Sequence, residues 1–134
     1  DAWRFPPRAR WTGQLPHADV VELFRSARVV VVPSVWSDPC PTVVLEAMAA
    51  GRPVVGAASG GIVDMVVDGR TGLLVPPGDP VALAEALATL LRQPDVAREF
   101  GRAGRDRARD FTVTAVAPRL EQMYADAIAS KAGR

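Results

Sequence analysis

The chain has 134 residues, 49% apolar and 23% charged, which suits one globular domain with enough apolar side chains for a sizeable core. A net charge of +1 makes no case for nucleic acid or a membrane surface as a partner, and the single cysteine, Cys40, excludes a disulfide within the chain and suits a reducing compartment. No apolar run approaches the roughly 20 residues that span a bilayer, and Asp1 to Arg10 lack the pattern of a signal peptide, so the expected location is the cytoplasm.

Strands alternate with helices along the chain, the pattern of a parallel sheet covered by helices. Residues 9–15 (ARWTGQL) can hold a short strand. His17 to Arg28 reads as a helix with Val21, Leu23, Phe24 and Ala27 on its apolar side. Val29 to Val32, β-branched throughout and bounded by Pro33, reads as a strand buried on both faces. Ser34 to Pro41 is a loop, Thr42 to Ala50 a helix, and Gly51 its stop. Pro53 to Gly56 is the next strand. Ser59-Gly60-Gly61 is a turn before Ile62 to Val67, and Asp68-Gly69 and Thr71-Gly72 frame a turn into Leu73 to Val75.

Asp79 followed by Pro80 predicts a helix start, with Leu83, Leu87, Leu90 and Leu91 on one face and a stop near Pro94. Asp95 can cap a second helix, in which Val96, Phe100, Ala103 and Ala108 form a weak apolar face. Thr112 to Ala129 reads as a last helix, with Val116, Leu120, Met123 and Ala127 in register toward the core and Pro118 near its beginning. No linker divides residues 1–134. About four short strands followed by three consecutive helices make the chain read as the later half of a doubly wound domain, with an exposed sheet edge liable to self-association.

Chemistry concentrates in Pro33 to Val55, PSVWSDPCPTVVLEAMAAGRPVV. The loop lies at the carboxyl end of a parallel strand, where open α/β sheets bind ligands. The helix start near Thr42 offers unpaired N–H groups of Thr42 and Val43 and a partial positive charge, which together receive phosphate without a lysine. Glu46, one turn in, cannot form a capping box with Thr42, because the third residue on is Leu45. Its carboxylate can instead accept two hydroxyl hydrogen bonds, as a ribose diol requires. Asp38 can reach the same cavity from the loop.

These residues carry a resemblance. Pro33-Ser34, then Asp38-x7-Glu46, then Glu46-Ala47-Met48-Ala49-Ala50-Gly51-Arg52-Pro53-Val54-Val55 resemble the E-x7-E region of glycosyltransferase family 4. The stretches Ser59 to Asp64, Asp68 to Val75 and Pro77 to Asp79 are similar to that family too, so the likeness covers about residues 11 to 128. It implies a GT-B enzyme of two Rossmann-like domains, this chain being the later part of the C-terminal, nucleotide-sugar-binding one. The implied activity is retaining transfer of a hexose from a nucleoside-diphosphate sugar, with no metal and no cofactor. By resemblance, Glu46 holds the donor ribose and Asp38 contacts and orients the donor sugar. Cys40, Pro41, Thr42 and Val43 form the loop and helix start facing sugar and pyrophosphate, and Gly60 and Gly61 join as donor-binding positions.

The sequence departs from the family pattern at several points. Asp38 stands for the usual glutamate, about one methylene shorter, and Pro41 has no N–H to donate. Val63 and Asp64 replace a common proline and glutamate. The family's glycine-rich segment and phosphate-binding Arg/Lys pair have no counterpart in these residues, and neither does the acceptor-binding N-terminal domain. The expected partners are therefore the donor and that domain, with no nucleic acid, and the isolated chain is expected to be inactive. Family members that act on lipid-linked acceptors extend the expected location to the inner membrane face for a longer protein. An alternative reading is a non-catalytic nucleotide-binding or interaction module that keeps the fold.

Locally, Glu46 can be a favourable acid near a helix start, Asp38 a loop residue before proline, and Gly60-Gly61 only a tight turn. Cys40 has no histidine partner in sequence, since the only histidine, His17, is remote. Arg98, Arg102, Arg105 and Arg109 share one helix face, and the interleaved acids Asp95, Glu99, Asp106 and Asp110 make that face read as solvated and ion-paired.

Overall fold

A computed structural model describes residues 8–132. The elements in order are α1 (His17–Ser26), β1 (Val30–Val32), α2 (Thr42–Ala49), β2 (Val54–Ala57), α3 (Ile62–Met65), β3 (Gly72–Val75), α4 (Pro80–Arg92), α5 (Pro94–Ala108), a 3₁₀ turn (Arg109–Phe111) and α6 (Val113–Ala132). The strands form one parallel sheet in the order β1-β2-β3, with Val30 opposite Val54 and Val54 opposite Gly72. This is the expected α/β, Rossmann-like arrangement of a parallel sheet with flanking helices.

Side chains alternate across the sheet and divide the core into two layers. Val30, Val32 and Val54 face Val44, Ala47 and Met48 of α2 and Ile62 and Met65 of α3. Val55 and Val75 face Leu90 of α4 and Ala97 of α5, with Leu83 and Phe100 packed around them. Every residue of β2 is buried, as a central strand covered on both faces requires. Fully buried valines and methionines of this kind contribute about 1.5–3 kcal/mol each.

Polar side chains fix the turns between these layers. Asp79 caps α4 as expected, its carboxylate accepting from the Val81 and Ala82 N–H groups at 3.0 and 2.9 Å, with Pro80 at the first helical position. Thr71, a buried polar residue of the core, accepts from Val67 N–H at 2.9 Å, and Asp68 accepts from Leu74 N–H at 2.9 Å. These two bonds close the turn into β3.

Several expectations are corrected. No strand forms in residues 9–15: Gly13 takes a φ of 63°, and no neighbouring strand is present among the described residues to pair with the segment. Three strands therefore stand among the described residues where about four were expected. The first helix ends at Ser26, whose hydroxyl bonds the Leu23 carbonyl, and Ala27 is already extended. Asp95 does not cap α5. Pro94 takes the first helical position, where its missing N–H costs nothing, so the cap falls on Gln93 and Asp95 sits in the first turn paired with Arg98. In α4, Leu90 is buried but Leu91 is exposed.

On α5, Val96, Phe100 and Ala108 of the expected apolar face pack partly buried against the core, and the fully buried positions beside them are Ala97, Gly101 and Gly104. The apolar side of α6 is not core, since Leu120, Met123, Tyr124 and Ile128 are exposed. Pro118 lies inside α6, within its second turn.

Candidate functional site

The loop between β1 and α2 leaves the carboxyl edge of the sheet and is held there by the turn that follows β2. Gly61 N–H donates to the Asp38 carbonyl at 2.7 Å, and the Ser59 hydroxyl donates to the Trp36 carbonyl at 3.1 Å. The approach is so close that a Cβ on Gly60 would lie 2.3 Å from the Asp38 carbonyl oxygen, and one on Gly61 2.2 Å from that of Pro39. Gly60 also takes a φ of 53°, a left-handed conformation that favours glycine. The glycine pair therefore braces the loop through backbone contact, and only residues without a side chain fit there.

Within the loop, the Asp38 carboxylate folds back to accept Cys40 N–H at 2.9 Å. This is an Asx turn, a structure available to aspartate because its side chain is short. Asp38 is half-buried, and Cys40 is exposed with a free thiol. Pro41 is buried and stands at the cap position of α2, which has no side-chain cap. Val44 N–H reaches the Pro41 carbonyl at 3.0 Å. The N–H groups of Thr42 and Val43, in the first turn, have no helical acceptor. Both residues are exposed, so these donors and the positive end of the helix dipole face outward from the carboxyl edge.

Glu46 follows one turn later, its side chain 33% exposed. A neighbour the sequence did not reveal is His17, which places Nδ1 3.9 Å from the Glu46 carboxylate. His17 opens α1, which packs beside α2. In a sheet of parallel strands joined by helices, the amino ends of the helices gather at the carboxyl edge of the strands, and that topology is the signal that could have found it. Val35 and Trp36 project from the same loop and are exposed. A small apolar cavity of about 270 Å³ lies along the same edge, lined by Pro33, Ala57, Val75 and Pro76 among others.

Asp38, Cys40, Pro41, Thr42 and Val43 thus form one continuous wall with Gly60 and Gly61, and Glu46 and His17 adjoin its helical end. Among the described residues, no group of three or more His, Cys, Asp or Glu side chains could hold a metal ion. No helix among them is long and apolar enough to cross a membrane.

The sequence profile of the glycosyl transferases group 1 family matches residues 5–107. The chain belongs to this family. It is 40% identical over 120 residues to D-inositol 3-phosphate glycosyltransferase of Corynebacterium diphtheriae, a match that covers 90% of this chain and 28% of that protein. Among solved structures, sucrose-phosphate synthase from Thermosynechococcus elongatus is similar with a TM-score of 0.78 and 40% identity, covering 88% of this chain and 30% of that one. Anabaena HepE in complex with UDP is similar with a TM-score of 0.75 and 26% identity, over 81% of this chain and 30% of that one. The chain therefore spans less than a third of the length of these relatives and corresponds to part of a GT-B glycosyltransferase domain.

Proposed function

We propose that the chain supplies one wall of the nucleotide-sugar site of a retaining, family 4-like glycosyltransferase that moves a hexose from a nucleoside-diphosphate sugar to an acceptor. The observation that carries this reading is the wall itself. An uncapped helix start, a carboxylate one turn along it and a glycine-braced loop all meet at the carboxyl edge of the sheet. HepE, whose solved complex contains UDP, shares the fold of this region.

In this reading the Thr42 and Val43 N–H groups and the dipole of α2 stabilise charge on the departing diphosphate. Such fixed dipoles act where charge develops and need no reorganisation during the reaction. Glu46 accepts hydrogen bonds from the two ribose hydroxyls and orients the donor. Asp38, with one oxygen engaged by Cys40 N–H, turns its other oxygen to the donor sugar. The leaving phosphate assists the incoming hydroxyl on the same face, which retains the anomeric configuration. The opposite wall and the acceptor site come from the rest of a longer protein, a soluble one or one peripheral to the inner membrane face. The chain alone is expected to bind but not to turn over.

The test is a backbone amide NMR titration of the chain with UDP, GDP and ADP, repeated on Glu46→Gln. We expect saturable shifts at Thr42, Val43 and around Glu46. Loss of the charged acceptor should weaken binding by roughly tenfold or more. Binding without turnover in the complete protein would favour the non-catalytic nucleotide-binding module. A well-dispersed spectrum that no nucleotide shifts would remove the donor-wall reading.

A further inference from the structure

At the opposite, amino-terminal edge of the sheet lies a cavity of about 450 Å³. Arg28, Arg52, Arg98, Arg102 and Arg105 line it, and no lining residue is acidic. They come from three separate parts of the chain: the residue pairs leading into β1 and β2, and the outer face of α5. Three segments converging in this way make more than a solvated helix face. The interleaved acids neutralise the cluster only in part, at Arg98. Asp95 pairs with Arg98, while Asp106 pairs at 3.2 Å with Arg109, which does not line the cavity.

Part of this charge serves helix ends. Arg28 donates to the Leu91 carbonyl at 3.0 Å, Arg105 to the Ala50 carbonyl at 3.4 Å, and Arg52 to the Arg25 carbonyl. Each helix end carries only about half a charge, and each guanidinium has five donors, so three such contacts leave both charge and donors over. Arg52 Nε is enclosed and has no hydrogen-bond partner. The Arg102 side chain has no hydrogen bond or ion pair among the described residues. Pro94 and Ala97 bring the first turn of α5 to the same cavity, and that helix has no side-chain cap.

We propose that this cavity is a binding site for phosphate groups, separate from the donor wall and sized for a diphosphate or a small phosphorylated ligand. Planar guanidiniums match phosphate oxygens two at a time, and small-ligand pockets span about 300–1,000 Å³. Two or more negative charges are needed to balance the cations left over. The two sites can be filled together, because α2 separates them. Its first turn belongs to the donor wall, and Ala50 and Gly51 after its last turn line the cavity. The phosphate can belong to a soluble molecule or to a lipid headgroup, and the experiment separates these sources.

Inorganic pyrophosphate is titrated into the chain at constant ionic strength and followed by amide NMR. Saturable shifts are expected at Gly51, Ala97 and Arg102. The double variant Arg98→Gln/Arg102→Gln should weaken them by about tenfold or more while any shifts at Thr42 and Val43 persist. Both side chains are exposed, so a dispersed spectrum of the variant will certify its fold. Co-sedimentation with phosphatidylcholine vesicles containing phosphatidic acid, lost in the variant and absent with phosphatidylcholine alone, would assign a headgroup as the source. Pyrophosphate binding without co-sedimentation would assign a soluble one. Shifts confined to Thr42 and Val43, shifts that sodium chloride reproduces without saturation, or equal binding by the double variant would each overturn the proposal.

Discussion

Asp38 shows how one side chain can serve structure and chemistry through different oxygens. Its bond to Cys40 N–H fixes the loop, and asparagine can make the same bond while glutamate cannot do so as closely. Asp38→Asn should therefore leave stability within about 0.5 kcal/mol of the parent. If the free oxygen engages the donor as a carboxylate, the same substitution weakens nucleotide-sugar binding but not binding of the nucleotide alone. Urea denaturation together with paired titrations of sugar nucleotide and nucleotide checks this, and equal loss for both ligands would remove the sugar contact. The positions of Asp38 and Glu46 were legible because a fixed spacing across a loop and a helix start is a one-dimensional pattern. The bond from Asp38 to Cys40 and the approach of His17 to Glu46 were not. The first depends on loop dihedrals, and the second links residues 29 positions apart that meet only once both helices rest on the sheet.

Helix α5 shows what an apolar pattern leaves out at the scale of an element. Val96, Phe100 and Ala108 of its expected apolar face pack partly buried against the core, and the residues at the closest packing are Ala97, Gly101 and Gly104. Small side chains let α5 approach α2 and the residues leading into β2 and β3, so backbone contact replaces side-chain bulk. Two glycine substitutions on this one helix should then have opposite signs. Alanine in a helix interior gains about 0.5–1 kcal/mol over glycine. At Gly104 the added Cβ would meet Met48 Cγ at 3.6 Å, an ordinary contact, so Gly104→Ala should stabilise by about that amount. At Gly101 the Cβ would lie 2.2 Å from the Gly51 carbonyl oxygen. Overpacking against backbone costs about 1–3 kcal/mol or more and outweighs the propensity gain, so Gly101→Ala should destabilise. Urea midpoints at unchanged slope measure both, and two substitutions of the same sign would contradict the close approach of α5. Capping at Asp79 and the buried valines were legible because each follows from local chemistry. A stripe of small residues is legible only when its partner surface is known.

For the whole molecule, the described sheet has two edge strands, and two unpartnered surfaces compete to explain any association. Val30 N–H bonds the Pro53 carbonyl at 3.0 Å, toward β2, so by the two-residue alternation of a strand the Val31 N–H points away from the sheet. The second surface is the stripe of Leu120, Met123, Tyr124 and Ile128 on α6, which follows helical spacing and is exposed along its length. The alternation of strands and helices told the class of fold, but it could not show which faces remain uncovered, because coverage depends on where each helix comes to lie. We expect the isolated chain to self-associate at high concentration, mainly through the β1 edge, since an unpaired row of backbone donors and acceptors is a template for another strand. Val31→Pro removes an outward donor without removing a bond to β2, a change that edge strands accept. Light scattering should show association of the parent, a largely monomeric Val31→Pro with an unchanged circular dichroism spectrum, and little effect of Met123→Lys with Ile128→Lys. The reverse result, with the lysine pair alone monomeric, would assign association to α6. A strictly monomeric parent would mean that three residues of β1, ended by Pro33, are too short an edge to pair.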